Sequence, residues 1–269
     1  MDRDNKLIRV DKGSASPVTP YSIWSITSGF LAHFPKSSSY QRDHHNAGTA
    51  KVPVNYSLIA GGGRVILYDV GWQDPRIVKT AEVADWEPIV LQLERLGVKP
   101  EDVDAIVLSH VHFDHAGQLG HFPKATVYLQ KAEMDFIKFV QGYREGPTKA
   151  RLRGSFLRVD ADTLAVIEKE GRLQLVDGYG DLGPGLQIVP ALNTHSPGCQ
   201  MLVVNTVAGP MVLAGDAVYE RGNITHANPM GTNMGSNLEC ILNFEKIMDL
   251  AGGKIEMVIP AHDPAIFSY

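Results

Sequence analysis

Cysteine is scarce in this sequence of 269 residues, which contains only Cys199 and Cys240. Two cysteines are too few for a disulfide framework, and we expect the protein to reside in the cytoplasm. No apolar run approaches the roughly 20 residues of a membrane-spanning helix, and the polar N-terminus lacks the apolar segment of a secretory signal. Positive charge is not in excess, because the formal net charge is −5. We therefore expect neither a membrane nor a nucleic-acid partner.

The composition is that of an ordinary soluble globular protein, with 44% hydrophobic and 20% charged residues. Predicted strands and helices alternate along the chain, including a hairpin at the three glycines 61–63 and helices over residues 85–96 and 237–250. This alternation predicts an α/β (α+β) protein, in which two packed mixed β-sheets are flanked by helices. We assign residues 1–269 to a single domain.

Two segments do not fit this alternation. Residues 1–50 match no pattern that we can place, and two interpretations stay open: a lid that carries substrate contacts, or a surface arm. Residues 141–158 are polar and contain several arginine and lysine residues. They predict a solvated insert, and a site for a substrate phosphate is the less favoured interpretation.

The most informative stretch is Ser109-His110-Val111-His112-Phe113-Asp114-His115, which follows the apolar residues 105–108. A short apolar run without helical periodicity predicts a buried strand, so the polar cluster begins where that strand ends. From an extended backbone, His110 and His112 can approach one ion. After the bend, Asp114 and His115 can face a second ion. Burying this much polarity is costly without a partner, and a divalent cation is the partner that costs least.

Three more polar residues follow predicted buried strands further along the chain. They are His195, Asp216 and His262, and each lies in the loop after an apolar run. Rigid strands that converge at one edge of a sheet hold such groups more precisely than free loops do. The repeated pattern of strand and polar loop predicts that the four segments meet at one site. The alternative is that these histidines are merely hydrogen-bonded, which would be the preferred interpretation if only one histidine were present.

The predicted site holds two ions. One ion would be bound by His110, His112 and His195, the other by Asp114, His115 and His262, and Asp216 would bridge both. Mixed imidazole and carboxylate ligation suits Zn²⁺ best, with Fe²⁺, Mn²⁺ or Co²⁺ as alternatives. A pair of ions lowers the pKa of a shared water and clamps the attacked and the leaving oxygen. The pattern therefore predicts a hydrolase with two divalent metal ions.

The motif from His110 to His115, followed in order by His195, Asp216 and His262, resembles the metallo-β-lactamase-fold hydrolases over roughly residues 54–263. The resemblance implies an αββα sandwich. The segment Tyr68-Asp69-Val70-Gly71 stands where that superfamily has a strand ending in Asp and Gly. This position implies that Asp69 orients the ligand loop, with a turn-capping carboxylate as the alternative.

Phe113 and Tyr219 are similar to residues of the N-acyl-homoserine lactonases and related lactone hydrolases. In those enzymes such a tyrosine contacts the lactone carbonyl, and a phenol near two ions would also stabilise an oxyanion. An ordinary core tyrosine is the alternative. The segment 193–199 departs from that branch, since it lacks the leading Pro-Gly and has Cys199 where a second His is usual. Cys199 is expected to pack as a small apolar group, and the departures leave substrate identity open.

The resemblance implies the opening of a lactone ring, with an N-acyl-homoserine lactone of the quorum-quenching type as the leading candidate. Tyr219 would polarise the carbonyl, and Asp114 would carry a proton to the leaving oxygen, so we assign both as catalytic. A small-molecule lactone is the expected partner. The sequence is also compatible with a homodimer.

Other classes of protein share the ligand set. A thioesterase of the glyoxalase II type usually carries a helical C-terminal domain, whereas this sequence ends shortly after His262. A mononuclear iron sulfur dioxygenase needs only two His and one Asp. A ribonuclease-type relative requires a basic surface, and β-lactam hydrolases generally lack a bridging residue such as Asp216. A non-enzymatic metal-binding scaffold is the remaining alternative.

Overall fold

The computed structural model describes residues 20–41, 48–77, 82–153, 156 and 158–267. The strands are β1 (Ser22–Pro35), β2 (Thr49–Gly61), β3 (Arg64–Tyr68), β4 (Val83–Ala84), β5 (Ala105–Val107), β6 (Thr126–Gln130), β7 (Leu173–Val176), β8 (Gly180–Asp181), β9 (Leu186–Pro190), β10 (Gln200–Thr206), β11 (Gly209–Gly215) and β12 (Val258–Pro260). The α-helices are α1 (Lys36–Ser39), α2 (Ile89–Arg95), α3 (Lys131–Gly142), α4 (Pro147–Arg153), α5 (Arg158–Lys169), α6 (Arg221–Thr225) and α7 (Asn237–Leu250).

Two mixed β-sheets organise the fold. The seven-stranded sheet has the order β4-β1-β2-β3-β5-β6-β7, and the five-stranded sheet has the order β12-β11-β10-β9-β8. Strands β3, β5, β6 and β7 pair in parallel, whereas β1, β2 and β3 pair antiparallel. In the second sheet only β11 and β12 pair in parallel among the described strands. The predicted class, with two mixed sheets and flanking helices, is confirmed.

Apolar side chains fill three layers. Between the sheets, Ile66 and Val107 of the first sheet pack in one cluster with Leu202 and Leu213 of the second. Helices α2, α3 and α5 cover the outer face of the seven-stranded sheet, and α7 covers that of the five-stranded sheet. Burying one such aliphatic side chain stabilises the fold by about 1.5–3 kcal/mol. The result is the αββα sandwich.

The strand directions place the predicted site residues at one edge of this sandwich. β11 and β12 run in parallel, with Val212 opposite Val258 and Leu213 opposite Ile259. Their carboxyl ends therefore lie side by side, which brings the loops after both strands together. β5 ends just before the motif at residues 109–115 and faces the same edge from the other sheet.

Strand β1 was not predicted. It occupies residues 22–35, inside the segment for which we expected a lid or a surface arm, and pairs with β2 over most of its length. Its register shifts after Thr27 and again after Leu31, and these irregularities break the alternation by which a strand is recognised. Residues 1–19 and 42–47 of that segment lie outside the described residues.

Other predicted elements differ in their bounds. The hairpin is confirmed, with Gly62 and Gly63 at positive φ between β2 and β3, and so is the helix over residues 237–250. The helix predicted over 85–96 begins only at Ile89, because Pro88 is extended and Asp85 has a φ of 53°. The predicted polar insert contains α4, which buries no residue, but it also contains the buried Phe156. No helix among the described residues is long and apolar enough to cross a membrane.

Candidate dimetal site

The structure brings all seven predicted ligand residues together in two groups. The histidine-rich group consists of His110, His112, His195 and Asp216, and the mixed group consists of Asp114, His115 and His262. Within each group the candidate ligand atoms all lie within 4.8 Å of one another, and every one of these residues is buried. Each group therefore has the size and the donor types of a site for one cation.

Asp216 connects the two groups through its two carboxylate oxygens. Its Oδ2 lies 3.2 Å from His195 Nε2 and 3.7 Å from His110 Nε2, both in the histidine-rich group. Its Oδ1 lies 3.1 Å from His115 Nε2 and 3.2 Å from His262 Nε2. Each oxygen thus faces a different set of imidazole nitrogens, which is the arrangement that a bridging carboxylate requires.

Unpartnered atoms test whether cations fit this site. His110 Nε2, His115 Nε2 and Asp216 Oδ1 are buried without a hydrogen-bond partner in the described part of the chain. His112 Nδ1 lies 3.0 Å from His195 Nε2, so two nitrogens of the histidine-rich group face each other. Buried polar atoms that lack partners are rare and costly, and one cation in each group would satisfy them. The residues present fit two divalent ions.

Asp69 holds the motif loop in place. Its Oδ2 lies 2.8 Å from His115 Nδ1, and its Oδ1 accepts a 2.6 Å hydrogen bond from the backbone N–H of Ser109. The contact to His115 is what the resemblance implied for Asp69.

Gly215 also belongs to this arrangement: at its φ of +53°, an added Cβ would lie 2.5 Å from Ser109 Cβ. Only glycine allows β11 to deliver Asp216 so close to this loop.

Two further histidines, His110 and His262, are also fixed by their second nitrogen. His110 Nδ1 lies 3.0 Å from Ser109 Oγ, and His262 Nδ1 lies 2.8 Å from the backbone oxygen of Pro53. Such outer contacts select the tautomer and the orientation of an imidazole ligand. Sequence reasoning gave Ser109 no role and missed Pro53, because a hydroxyl and a backbone carbonyl carry no pattern of their own.

The electrostatics divide the histidines. Burial, together with neighbouring histidines, lowers the pKa of His112 to about 3 and also holds the pKa of His110 below its usual value. Burial also lowers the pKa of His115 and His262, but the nearby carboxylates outweigh burial and raise both values. Burial raises the pKa of Asp216, and the surrounding histidines reverse this effect so that the carboxyl stays ionised. The carboxylate of Asp216 thus lies between histidines whose pKa values are lowered in one group and raised in the other.

Tyr219 lies beside the histidine-rich group. Its hydroxyl lies 3.3 Å from His195 Nδ1 and 2.7 Å from Thr232 Oγ1. Burial and then the charge of Asp216 raise the pKa of Tyr219 well above its usual value, so the phenol keeps its proton and can donate it in a hydrogen bond. The ring of Phe34, near the end of β1, packs 5.9 Å from that of Tyr219. Sequence reasoning found Tyr219 but not Thr232 or Phe34.

A cavity lies next to the site, behind Phe156. The ring of Phe156 packs edge-on against His112, with 4.9 Å between the ring centroids. The cavity has a volume of about 500 Å³ between α3, α4 and α5, and its apolar wall includes Ile137, Val140 and Ala161. Charged residues of α4 and α5 line the remainder. The segment predicted as a polar insert therefore contributes both the cavity and the aromatic ring that separates it from His112.

The fold and the site define a two-sheet sandwich with places for two cations at one edge. The chain belongs to the metallo-beta-lactamase superfamily, whose family description matches residues 49–262.

Two lactonases are among its relatives. One is the N-acyl homoserine lactonase AttM of Azorhizobium caulinodans, 31% identical over 187 residues that make up 66% of this chain and 65% of that protein. This chain therefore spans just under two thirds of that relative. The other is the N-acyl homoserine lactonase AttM of Rhizobium radiobacter, 26% identical over 92% of this chain and 95% of that protein.

A solved structure is similar in fold over nearly the whole chain. It is an N-acyl homoserine lactone hydrolase with the product N-hexanoyl-L-homoserine bound at its catalytic metal center. The TM-score is 0.71, with 20% identity over 93% of this chain and 96% of that chain. At this identity the likeness establishes the fold alone.

Asp160, buried at the start of α5, gives a testable pH dependence. Its Oδ1 accepts a 2.9 Å hydrogen bond from Gln73 Nε2, and burial raises its pKa to about 6. The folded state therefore holds a proton that the unfolded chain releases near pH 4. The free energy of unfolding consequently falls as the pH rises from about 4 through about 6. We expect Asp160→Asn to remove this loss and to gain up to about 3 kcal/mol over the wild type between about pH 4 and pH 7.

Denaturant unfolding of the metal-loaded proteins at both pH values measures this difference. The matched control is Asp162→Asn, an exposed position on the same helix. Wild-type and Asp160→Asn proteins that lose stability in parallel across this window would contradict the assignment.

Proposed function

We propose that this protein is a hydrolase that uses two divalent metal ions, with Zn²⁺ as our choice of metal, to open the lactone ring of an N-acyl homoserine lactone. The observation that carries the proposal is the division of the two Asp216 oxygens between two separate groups of ligand atoms. The lactonase relatives support the substrate class. Cytoplasmic residence and a homodimer stay predictions.

The chain's own residues supply two further functions. When bound, the two cations would supply an activated water and a Lewis acid for the carbonyl oxygen. The Tyr219 phenol, protonated and next to His195, would donate a hydrogen bond to the oxygen on which negative charge develops. A preorganised donor of this kind stabilises the transition state more than the ground state.

Asp114 is the residue that we propose as the proton carrier. Its Oδ2 lies 3.5 Å from His115 Nε2 and 3.8 Å from His262 Nε2, which leaves Oδ1 outside these contacts. Burial raises the pKa of Asp114, but His115 and His262 outweigh burial and keep it below its usual value. The ionised carboxylate would accept a proton and then deliver it to the ring oxygen that leaves.

The cavity behind Phe156 is our proposed site for the acyl chain of the substrate. It adjoins His112 through a single aromatic ring and has an apolar wall. Volume of this order is typical of sites for small molecules. The cavity is close enough to the metal site that an acyl chain could occupy it while the lactone ring of the same molecule lies at the metal ions.

A substrate panel tests the proposed function directly. The protein is reconstituted with Zn²⁺ and offered homoserine lactones of short and long acyl chain, simple aliphatic lactones and a thioester of the glyoxalase II type. A second sample, loaded with Fe²⁺, is offered a persulfide. We expect ring-opened products, each heavier than its substrate by one water, and fastest turnover with an acyl homoserine lactone. Turnover of the thioester alone, or oxygen uptake with the persulfide by an iron-loaded protein, would instead assign one of the alternative classes.

Replacing Tyr219 by phenylalanine tests its role. We expect Tyr219→Phe to lower kcat by about a hundredfold, because the variant loses one preorganised donor to the oxyanion. Metal content, measured in the same samples, should stay at the wild-type value. A variant that turns over as fast as the wild type would remove the phenol from the reaction.

Filling the cavity tests the acyl-chain site. Ala161 lines the cavity, and we expect Ala161→Trp to raise KM for a long-chain lactone by about tenfold, since each excluded methylene forfeits about 0.8 kcal/mol. Kinetics with a short-chain lactone should be unchanged. The matched control is Val166→Trp, at an exposed position of the same helix. Equal KM values for long chains in all three proteins would place the acyl chain elsewhere.

A further inference from the structure

Glu133 is a buried carboxylate outside the seven ligand residues. It lies in the first turn of α3 and is fully inaccessible to solvent. Its Oε1 accepts a 3.0 Å hydrogen bond from the backbone N–H of Val111. Its Oε2 accepts a 2.9 Å hydrogen bond from the backbone N–H of Gly198 and a short one from the hydroxyl of Ser196. Three donors from two different loops thus converge on one side chain.

The carboxyl group of Glu133 has no cationic partner, so burial raises its pKa and its three hydrogen bonds offset this rise only in part. No lysine, arginine or histidine in the described part of the chain forms an ion pair with it. Burying a carboxylate is expensive unless hydrogen bonds and dipoles replace water, and here the three donors and the start of α3 replace it. Because burial of this carboxylate is costly and its hydrogen bonds go to two loops, we look for its role in those loops.

Both loops carry residues of the histidine-rich group. Val111 lies between His110 and His112, and Ser196 directly follows His195. The loops come from different sheets, since one follows β5 and the other follows β9. The carboxylate therefore connects the loops that carry these histidines directly, beside the backbone hydrogen bond from Gln200 to Ser109 where the two strands meet.

Gly198 shows how closely the second loop approaches α3. A Cβ added at Gly198 would lie 2.2 Å from the backbone nitrogen of Glu133 and 2.5 Å from its Cα. These atoms belong to the backbone of a helix and cannot move aside. Only a glycine lets the loop reach the carboxylate.

We propose that Glu133 is a positioning residue that holds the two loops at the spacing at which His110, His112 and His195 bind one metal ion. The inference rests on the two-cation site of the proposed function and concerns one of its two groups. The mixed group shares none of these hydrogen bonds, since Asp114 and His115 lie further along the motif and His262 follows β12.

Glutamine cannot replace Glu133, although the two side chains have the same shape. An amide has one accepting oxygen, whereas backbone N–H groups approach both oxygens of the carboxylate. If the amide oxygen faces Gly198, the amide nitrogen faces the N–H of Val111, and the flipped amide has the reverse conflict. Glu133→Gln therefore breaks the connection to one loop and leaves the volume of the site unchanged.

Binding of Co²⁺ alone, followed by its visible absorption, tests the proposal without reference to activity. We expect the wild type to bind two ions in two resolvable steps. In Glu133→Gln, one step should weaken by about ten- to a hundredfold, the range seen when an outer partner of a metal ligand is lost, while the other step is unchanged. Ser196→Ala, which removes only one of the three donors, should weaken the same step by less.

The control is Val204→Ala, a buried position of β10 in the apolar cluster between the sheets, which contains no residue of either loop. Its two binding steps should match the wild type. Two unchanged steps in Glu133→Gln, or two steps weakened equally, would overturn the positioning role. If Glu133→Gln does not fold, Ser196→Ala decides alone: a weakened single step supports the role, and wild-type binding overturns it. A wild type that fails to bind two ions would refute the two-cation site itself, and with it the role of Glu133.

Discussion

The carboxylate of Asp216 lies in the interior between imidazoles that approach it from two sides, and the rest of the site depends on how this charge is balanced. The residue is 1% exposed, so water contributes little to its stabilisation. Its two oxygens face different histidines, and this division defines two ion sites instead of one. Gly215 is the condition for this placement, because any side chain there would collide with Ser109.

The sandwich brings this arrangement about by directing loops from both sheets to one edge. The motif at residues 109–115 follows β5 of the seven-stranded sheet, whereas Asp216 and His262 follow the parallel pair β11 and β12 of the other. The rigid strands fix the start of each loop, and hydrogen bonds fix the positions of the side chains that the loops carry. Asp69 fixes His115 within the first loop, and Glu133 joins that loop to the one that carries His195.

Sequence reasoning proposed seven candidate ligand residues from polar loops that follow apolar runs, and the structure brings these residues together in two groups. It also found the hairpin and α7, because the apolar residues in these elements recur with a regular period. It missed β1, whose two register shifts interrupt the alternation, and it placed the start of α2 too early, because Asp85 has a positive φ and Pro88 is not helical. Glu133 and Phe156 were missed because their partners are distant in sequence: a lone Glu in a helix, or a lone Phe in a polar segment, shows no pattern until the loops meet.

The central claim is that Asp216 bridges two metal ions, and anomalous diffraction at the zinc edge from crystals of the Zn²⁺-reconstituted protein tests it most directly. The account predicts two peaks roughly 3.5–4 Å apart, each within about 2.2 Å of a different Asp216 oxygen. One peak should have His110, His112 and His195 as neighbours. A single peak, or two peaks with Asp216 bound to only one of them, would contradict it.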